Sequence, residues 1–207
     1  MVITIVGSGF SRTVRGPQLA LRIIVLRAIH RLIEGHVTTN GEAVAVVEGD
    51  RYCSYRELNA AANAFARRLI TSGFRRGMRA DVRMIPSVDL AVVLLAILKT
   101  GGCYRWSHAT PPFQIATGDE SLSLPVDHIP VKVGCGGPNL PVVTRETDIA
   151  CVLDRAAGED SIAVPHATII AMAPRATTGR SPWAGEPGAF DLWAALLCGA
   201  TAVTSFR

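Results

Sequence analysis

Apolar residues recur at three- and four-residue spacing through residues 17–34, where Leu19, Ile23, Leu26, Ile29 and Ile33 mark one face. With Pro17 in the first turn and Gly35 as a stop, that spacing predicts a helix. Val44-Ala45-Val46-Val47, the turn Glu48-Gly49-Asp50 and Arg51-Tyr52-Cys53 read as a short hairpin. Ser54 then opens a second helix. Glu57 three residues on completes a capping box, Leu58, Ala62, Phe65 and Leu69 form the apolar stripe, and Gly73 ends it. A strand is predicted over residues 81–85. After it Ser87 caps an almost wholly apolar helix over residues 88–98, with Asp89 in its first turn and Lys99 in its last, both favourable to its dipole. Gly101-Gly102 turn the chain into the strand Cys103-Tyr104-Arg105-Trp106. Strand, helix, strand in that order is a βαβ unit and implies parallel pairing.

Elsewhere the pattern is weaker. Residues 1–6 are strand-like, and Gly7-Ser8-Gly9 follows, but the third glycine of a dinucleotide-binding turn would fall at Arg12 and no helix pattern opens behind it. Residues 108–145 break into Pro, Gly and short apolar pieces and read as irregular. Ile149-Ala150-Cys151-Val152-Leu153 is a buried strand, residues 177–188 a loop, residues 192–197 a short helix closed by Gly199, and residues 201–205 a last strand.

Composition narrows the function classes. With 49% hydrophobic and 18% charged residues the chain is globular, and its mean hydropathy of +0.29 calls for elements buried on both faces. The net charge of +4 rests on Arg, since Lys99 and Lys132 are the only lysines. No basic run is interleaved with aromatics, which argues against nucleic acid. Five widely spaced cysteines without a CxxC pair argue against a disulfide framework or a zinc site and fit a reducing cytoplasm. The five histidines show no ligand spacing, so no metal centre is expected. Residues 1–35 are rich in Arg and free of acids before Glu34. They lack a cleavage site, and no apolar run approaches the roughly 18 residues of a membrane span, so neither a leader nor a membrane role is expected.

Ser54-Tyr55-Arg56-Glu57-Leu58-Asn59, then Leu98-Lys99-Thr100-Gly101-Gly102-Cys103-Tyr104, then Pro111-Pro112 resemble, in order and spacing, the first core motifs of adenylate-forming enzymes. The likeness is greatest to the aminoacyl-adenylating domains of non-ribosomal peptide synthetases. It implies an α/β fold, a mostly parallel sheet with helices on both faces like the first half of the large lobe of such a domain. It divides the chain into a basic strand and helix at 1–35 and an adenylation-like domain at 36–207 with the irregular middle 108–145. It also implies ATP and Mg as cofactors, used to activate an amino or other carboxylic acid to an acyl-adenylate.

The phosphate-binding motif of that family is a Ser/Thr/Gly-rich loop with a lysine, whose amides and hydroxyls grip the phosphates. Its counterpart here is Asp154-Arg155-Ala156-Ala157-Gly158-Glu159-Asp160-Ser161, leading into Val164-Pro165-His166. Of the nucleotide-binding positions only Gly158 matches; the hydroxyls and the lysine are gone. Phe190-Asp191 resembles the pair whose acid holds a substrate's α-amino group, and Asp191 also suits a helix N-cap before Leu192-Trp193. The family's later motifs, with its catalytic lysine, have no counterpart. The expectation is therefore a truncated adenylation-like protein, catalytically impaired alone, with no catalytic residue of its own. Alternatively it is a non-catalytic module or relic that docks on a synthetase. A lobe halted midway leaves a sheet edge and an apolar helix face, which favour a synthetase subunit or self-association as partner.

Overall fold

The computed structural model describes residues 3–7, 10–14, 28–107, 114–117, 137–141, 144–154, 161–173, 180–183 and 189–204. The first element, β1 (Ile3–Gly7), pairs antiparallel with β2 (Phe10–Val14). A strand and not a helix thus follows the glycine turn, which removes the dinucleotide-binding reading.

Helix α1 (Ile29–Asn40) corrects the expected stop at Gly35, because the helix passes through it. Gly costs about 1 kcal/mol in a helix interior, which tertiary packing against neighbouring helices overrides. The Thr38 and Thr39 hydroxyls, which donate to the Glu34 and Gly35 carbonyls at 3.2 Å each, mark the last turn instead. Residues 17–27 of that predicted helix lie outside the described residues.

The hairpin β3 (Val44–Glu48) and β4 (Arg51–Ser54) forms as predicted, and α2 (Tyr55–Thr71) begins directly behind it. Ser54 and Glu57 make the reciprocal capping box: the Glu57 amide donates to Ser54 Oγ at 3.2 Å and the Ser54 amide to Glu57 Oε2 at 2.8 Å. Ser54→Ala removes half of that box at a buried helix start. It is expected to cost about 1 kcal/mol and to lower the melting temperature by about 2–4 °C, read by circular dichroism. An unchanged melt would show that the cap contributes nothing here.

After β5 (Arg79–Arg83), two residues earlier than predicted, comes α3 (Val88–Lys99). Every residue of α3 except Asp89 is buried. Its N-terminal amides are met twice: Leu90 donates to Ser87 Oγ at 3.1 Å and Val88 to Glu48 Oε2 at 2.9 Å. Arg51 grips Asp89 with two hydrogen bonds of 2.9 and 2.8 Å, tying the hairpin to this helix start. The turn into β6 (Cys103–Ser107) needs both its glycines, for different reasons. Gly101 has φ of +78°, and a Cβ on Gly102 would stand 2.7 Å from Phe74 Cζ and 2.9 Å from the Met78 carbonyl.

Four strands, β2 and three that follow β6, arise where the pattern predicted none. β7 (Gln114–Thr117) pairs antiparallel with β5 inside the stretch read as irregular. After β8 (Ile149–Leu153), β9 (Ile162–Pro165) and α4 (His166–Met172), β10 (Arg180–Trp183) lies within the segment read as a loop. It is an edge strand, where Pro182 is tolerated. Helix α5 (Phe190–Leu197) and β11 (Thr201–Thr204) complete the order.

Of the two larger sheets, the first runs β10-β11-β3-β4 and the second β7-β5-β6-β8-β9, with parallel pairing for β10/β11, β11/β3, β5/β6 and β6/β8. The expected α/β architecture is therefore present. The helices form a connected layer that touches both sheets: α3 meets β3 and β4 on one side and β6 on the other. That is why a helix apolar nearly all round is stable here. Among the described residues no helix is long and apolar enough to cross a membrane.

Candidate functional site

In the parallel array β5, β6 and β8 the C-terminal strand ends lie together, the place where open α/β sheets carry ligands. At the end of β8 the chain turns back antiparallel into β9, with Leu153 opposite Ile162. The segment from Asp154 to Ser161 that resembles the phosphate-binding loop is thus the connection of a hairpin at this end. Its two described residues close its base, Ser161 Oγ donating to Asp154 Oδ1 at 3.4 Å. Gly158, with Glu159 and Asp160, lies outside the described residues.

Among the described residues, the cation paired with this base is committed. Arg105 Nε lies 3.4 Å from Asp154 Oδ1 and 3.6 Å from Asp81 Oδ1, while Arg79 Nε lies 3.4 Å from the same Asp81 oxygen. These four side chains form a ladder of alternating charge over the outer face of the second sheet. Beside it a groove of about 680 Å³ is lined by Arg79, Cys103, Val152 and Ala163, and by the ion pair Arg76–Asp148 at 2.9 Å. Burial above all raises the Cys103 thiol pKa, so this cysteine is no activated nucleophile.

Lys99 is unavailable to a phosphate as well. It is 1% exposed and bonds to the Glu34 carboxylate, which also receives Arg31 at 2.9 Å. Burial lowers the Lys99 pKa to about 8 against the opposing pull of Glu34. Asn139 Oδ1, 3.4 Å from Lys99 Nζ, also accepts from Asn59 Nδ2 at 3.0 Å and Asn63 Nδ2 at 2.9 Å, which seats residues 137–141 on α2. Sequence reasoning assigned Lys99 to the helix dipole and missed this cluster. The signal was a lysine inside an apolar run, which must find a partner when buried. ATP with Mg therefore lacks a fitting donor set among the described residues.

Phe190 and Asp191 open α5, Phe190 packing against the core and Asp191 standing half-buried in the first turn. The N-cap reading of Asp191 is corrected: the cap position is Ala189, in the left-handed region at φ of +56°, and no side chain caps the helix. Among the described residues no hydrogen bond or ion pair reaches the Asp191 carboxylate, which still lies where the helix dipole favours an anion. Strand β9 leads directly into α4, and α4 packs on α5, so the hairpin and Phe190-Asp191 are linked through one helix.

Residues 33–113 match the family model described as AMP-binding enzyme. Malpibaldin synthetase of Mortierella alpina is 40% identical over 78 residues, 38% of this chain and 1% of that protein. Surfactin synthase subunit 2 of Bacillus subtilis is 39% identical over 77 residues, 37% of this chain and 2% of that protein. The match spans only a small share of the length of these curated relatives. The Klebsiella oxytoca NpsA N-terminal subdomain in complex with 3-hydroxyanthranilyl-AMSN superposes with a TM-score of 0.70 at 17% identity, covering 86% of this chain and 53% of that one. VinN superposes with a TM-score of 0.69 at 16% identity, covering 87% and 61%. At such identity the two structures speak for the fold. The resemblance to adenylate-forming enzymes read from the motifs thus holds in sequence over residues 33–113, and the fold likeness extends over most of the chain.

Proposed function

We propose that this chain is an adenylation-like protein of non-ribosomal peptide synthesis that does not by itself complete the family reaction, in which ATP and an amino or other carboxylic acid give an acyl-adenylate and pyrophosphate. The observation that carries this reading is the hairpin after β8, which replaces hydroxyls and a lysine with Asp154, Glu159 and Asp160. Two carboxylates within about 4–6 Å of a triphosphate oppose its binding by kcal-scale terms even when screened. Among the described residues, Arg105 and Lys99, which might have compensated, are neutralised by Asp81, Asp154 and Glu34. Asp191 keeps the charge that an α-ammonium group would meet, without the phosphate grip that turnover needs.

Amino-acid-dependent exchange of labelled pyrophosphate into ATP tests this directly. The expected result is no exchange above background by the purified chain with any of the common amino acids; substrate-dependent exchange would overturn it. A second reading, a module that docks on a synthetase subunit, is favoured by the charge ladder and groove on the outer face of the second sheet. Light scattering after size exclusion separates these outcomes. A mass that rises only with an adenylating subunit supports docking, and a chain that stays monomeric in the mixture argues against it.

A further inference from the structure

Helix α1 has no cap from its own neighbourhood, since Ala28 precedes it and offers no side-chain acceptor. The acceptor comes from residue 166. His166 Nδ1 lies 3.3 Å from the Ile29 amide in a buried site and accepts its proton. His166 is itself the first residue of α4, held there because its own amide donates to the Asp148 carbonyl at 3.1 Å and that of Ala167 to the Glu146 carbonyl at 2.8 Å. One imidazole therefore stands between the N-termini of two helices. His30, 2% exposed and with neither ring nitrogen bonded among the described residues, meets it edge-on with ring centroids 6.3 Å apart.

The geometry points to a pH-sensitive joint: a neutral His166 locks α1 onto α4, and its protonation releases α1 while the rest of the helix layer stays folded. The chemistry is specific to this nitrogen. Nδ1 accepts only while unprotonated, so the proton that makes the ring an imidazolium turns the acceptor into a donor aimed at another N–H. It also sets a full positive charge at the positive ends of two helix dipoles.

The surrounding charges give little relief. On α1 lie Arg31 and Glu34, on α3 Lys99, on α2 Arg67 beside Lys99, and on α5 the one acid Asp191. Glu34 is already engaged by Lys99 and Arg31. Asp148 alone raises the His166 pKa, and it is held by Arg76 and by the Arg145 amide. Burial lowers the His166 pKa to about 4 and lowers that of His30 well below the ordinary imidazole value, with Lys99 and His166 adding to the effect on His30. A histidine depressed in the closed form contributes its stability fully above the open-form pKa of about 6.5 and loses it as pH falls towards the closed-form value.

Native-state hydrogen exchange of the full chain tests the joint. Between about pH 7 and about pH 4.5, protection factors of the first-turn amides of α1 are expected to fall on the order of 100-fold, with those of α2 and α3 retained. In His166→Asn, whose Oδ1 takes the place of Nδ1 and does not titrate, the fall is expected to shrink to the part that the buried His30 alone contributes. Unchanged α1 protection in the original chain, an equal fall in the variant, or simultaneous loss from α1, α2 and α3 would each overturn the joint. Should the variant not fold, the His166 ring resonances of the original chain decide. They must titrate in step with α1 opening, and a titration separated from it overturns the proposal.

Discussion

Glu34→Ala is expected to destabilise the protein by about 3–5 kcal/mol, because it leaves the Lys99 ammonium buried with its main counter-charge gone. Lys99 is 1% exposed and Glu34 9%, so solvent screening offers little discount. Of the remaining groups, Asn139 Oδ1 is a neutral acceptor at 3.4 Å, while Arg31 and Arg67 repel. Burial then acts on Lys99 unopposed and lowers its pKa further. Lys99→Met should cost less, since Glu34 keeps Arg31 at 2.9 Å. The double change Glu34→Leu with Lys99→Met should recover most of the loss, because replacing both members of a buried pair by apolar groups is often neutral. Urea denaturation of the three variants measures this. A loss below about 1 kcal/mol for Glu34→Ala would mean that the pair is solvated in solution and not buried.

The same pair shows where the sequence was legible and where it was not. The capping box at Ser54 and Glu57, the cap at Ser87 and the glycine turn at 101–102 are decided within a few residues, and each forms as read. Lys99 finds Glu34 across 65 positions and His166 finds Ile29 across 137, distances over which no periodicity carries information. The strand β10 escaped for a related reason. Its Gly-, Pro- and Ser-rich surroundings have little strand propensity, and it exists because β11 offers a parallel partner. Gly35 shows the opposite error, a strong local stop signal overruled by packing. At the candidate site the strand β8 was legible, while its return partner β9 and the role of Asp191 were not. Whether it caps α5 depends on the left-handed turn at Ala189, a conformation a non-glycine residue rarely announces.

That α5 start is held from within. Trp193, two residues beyond Asp191 and fully buried, donates through Nε1 to the Tyr104 hydroxyl at 2.6 Å, joining α5 to β6 of the second sheet across the helix layer. Trp193→Ala is expected to cost about 3–5 kcal/mol, from lost burial and the cavity left behind. Trp193→Phe keeps most of the apolar contact but takes the indole donor away from the Tyr104 hydroxyl, whose pKa burial already raises well above the ordinary phenol. About 1–3 kcal/mol is expected there. Tyr104→Phe in turn leaves the indole N–H unpaired, so the two substitutions remove the same bond, and together they should cost less than their sum by about 0.5–3 kcal/mol. Far-UV circular dichroism in urea gives all four corners of the cycle without relying on the tryptophan signal. Additivity within error would show that the bond contributes no coupling, and α5, with Phe190 and Asp191, would then be positioned by apolar packing alone.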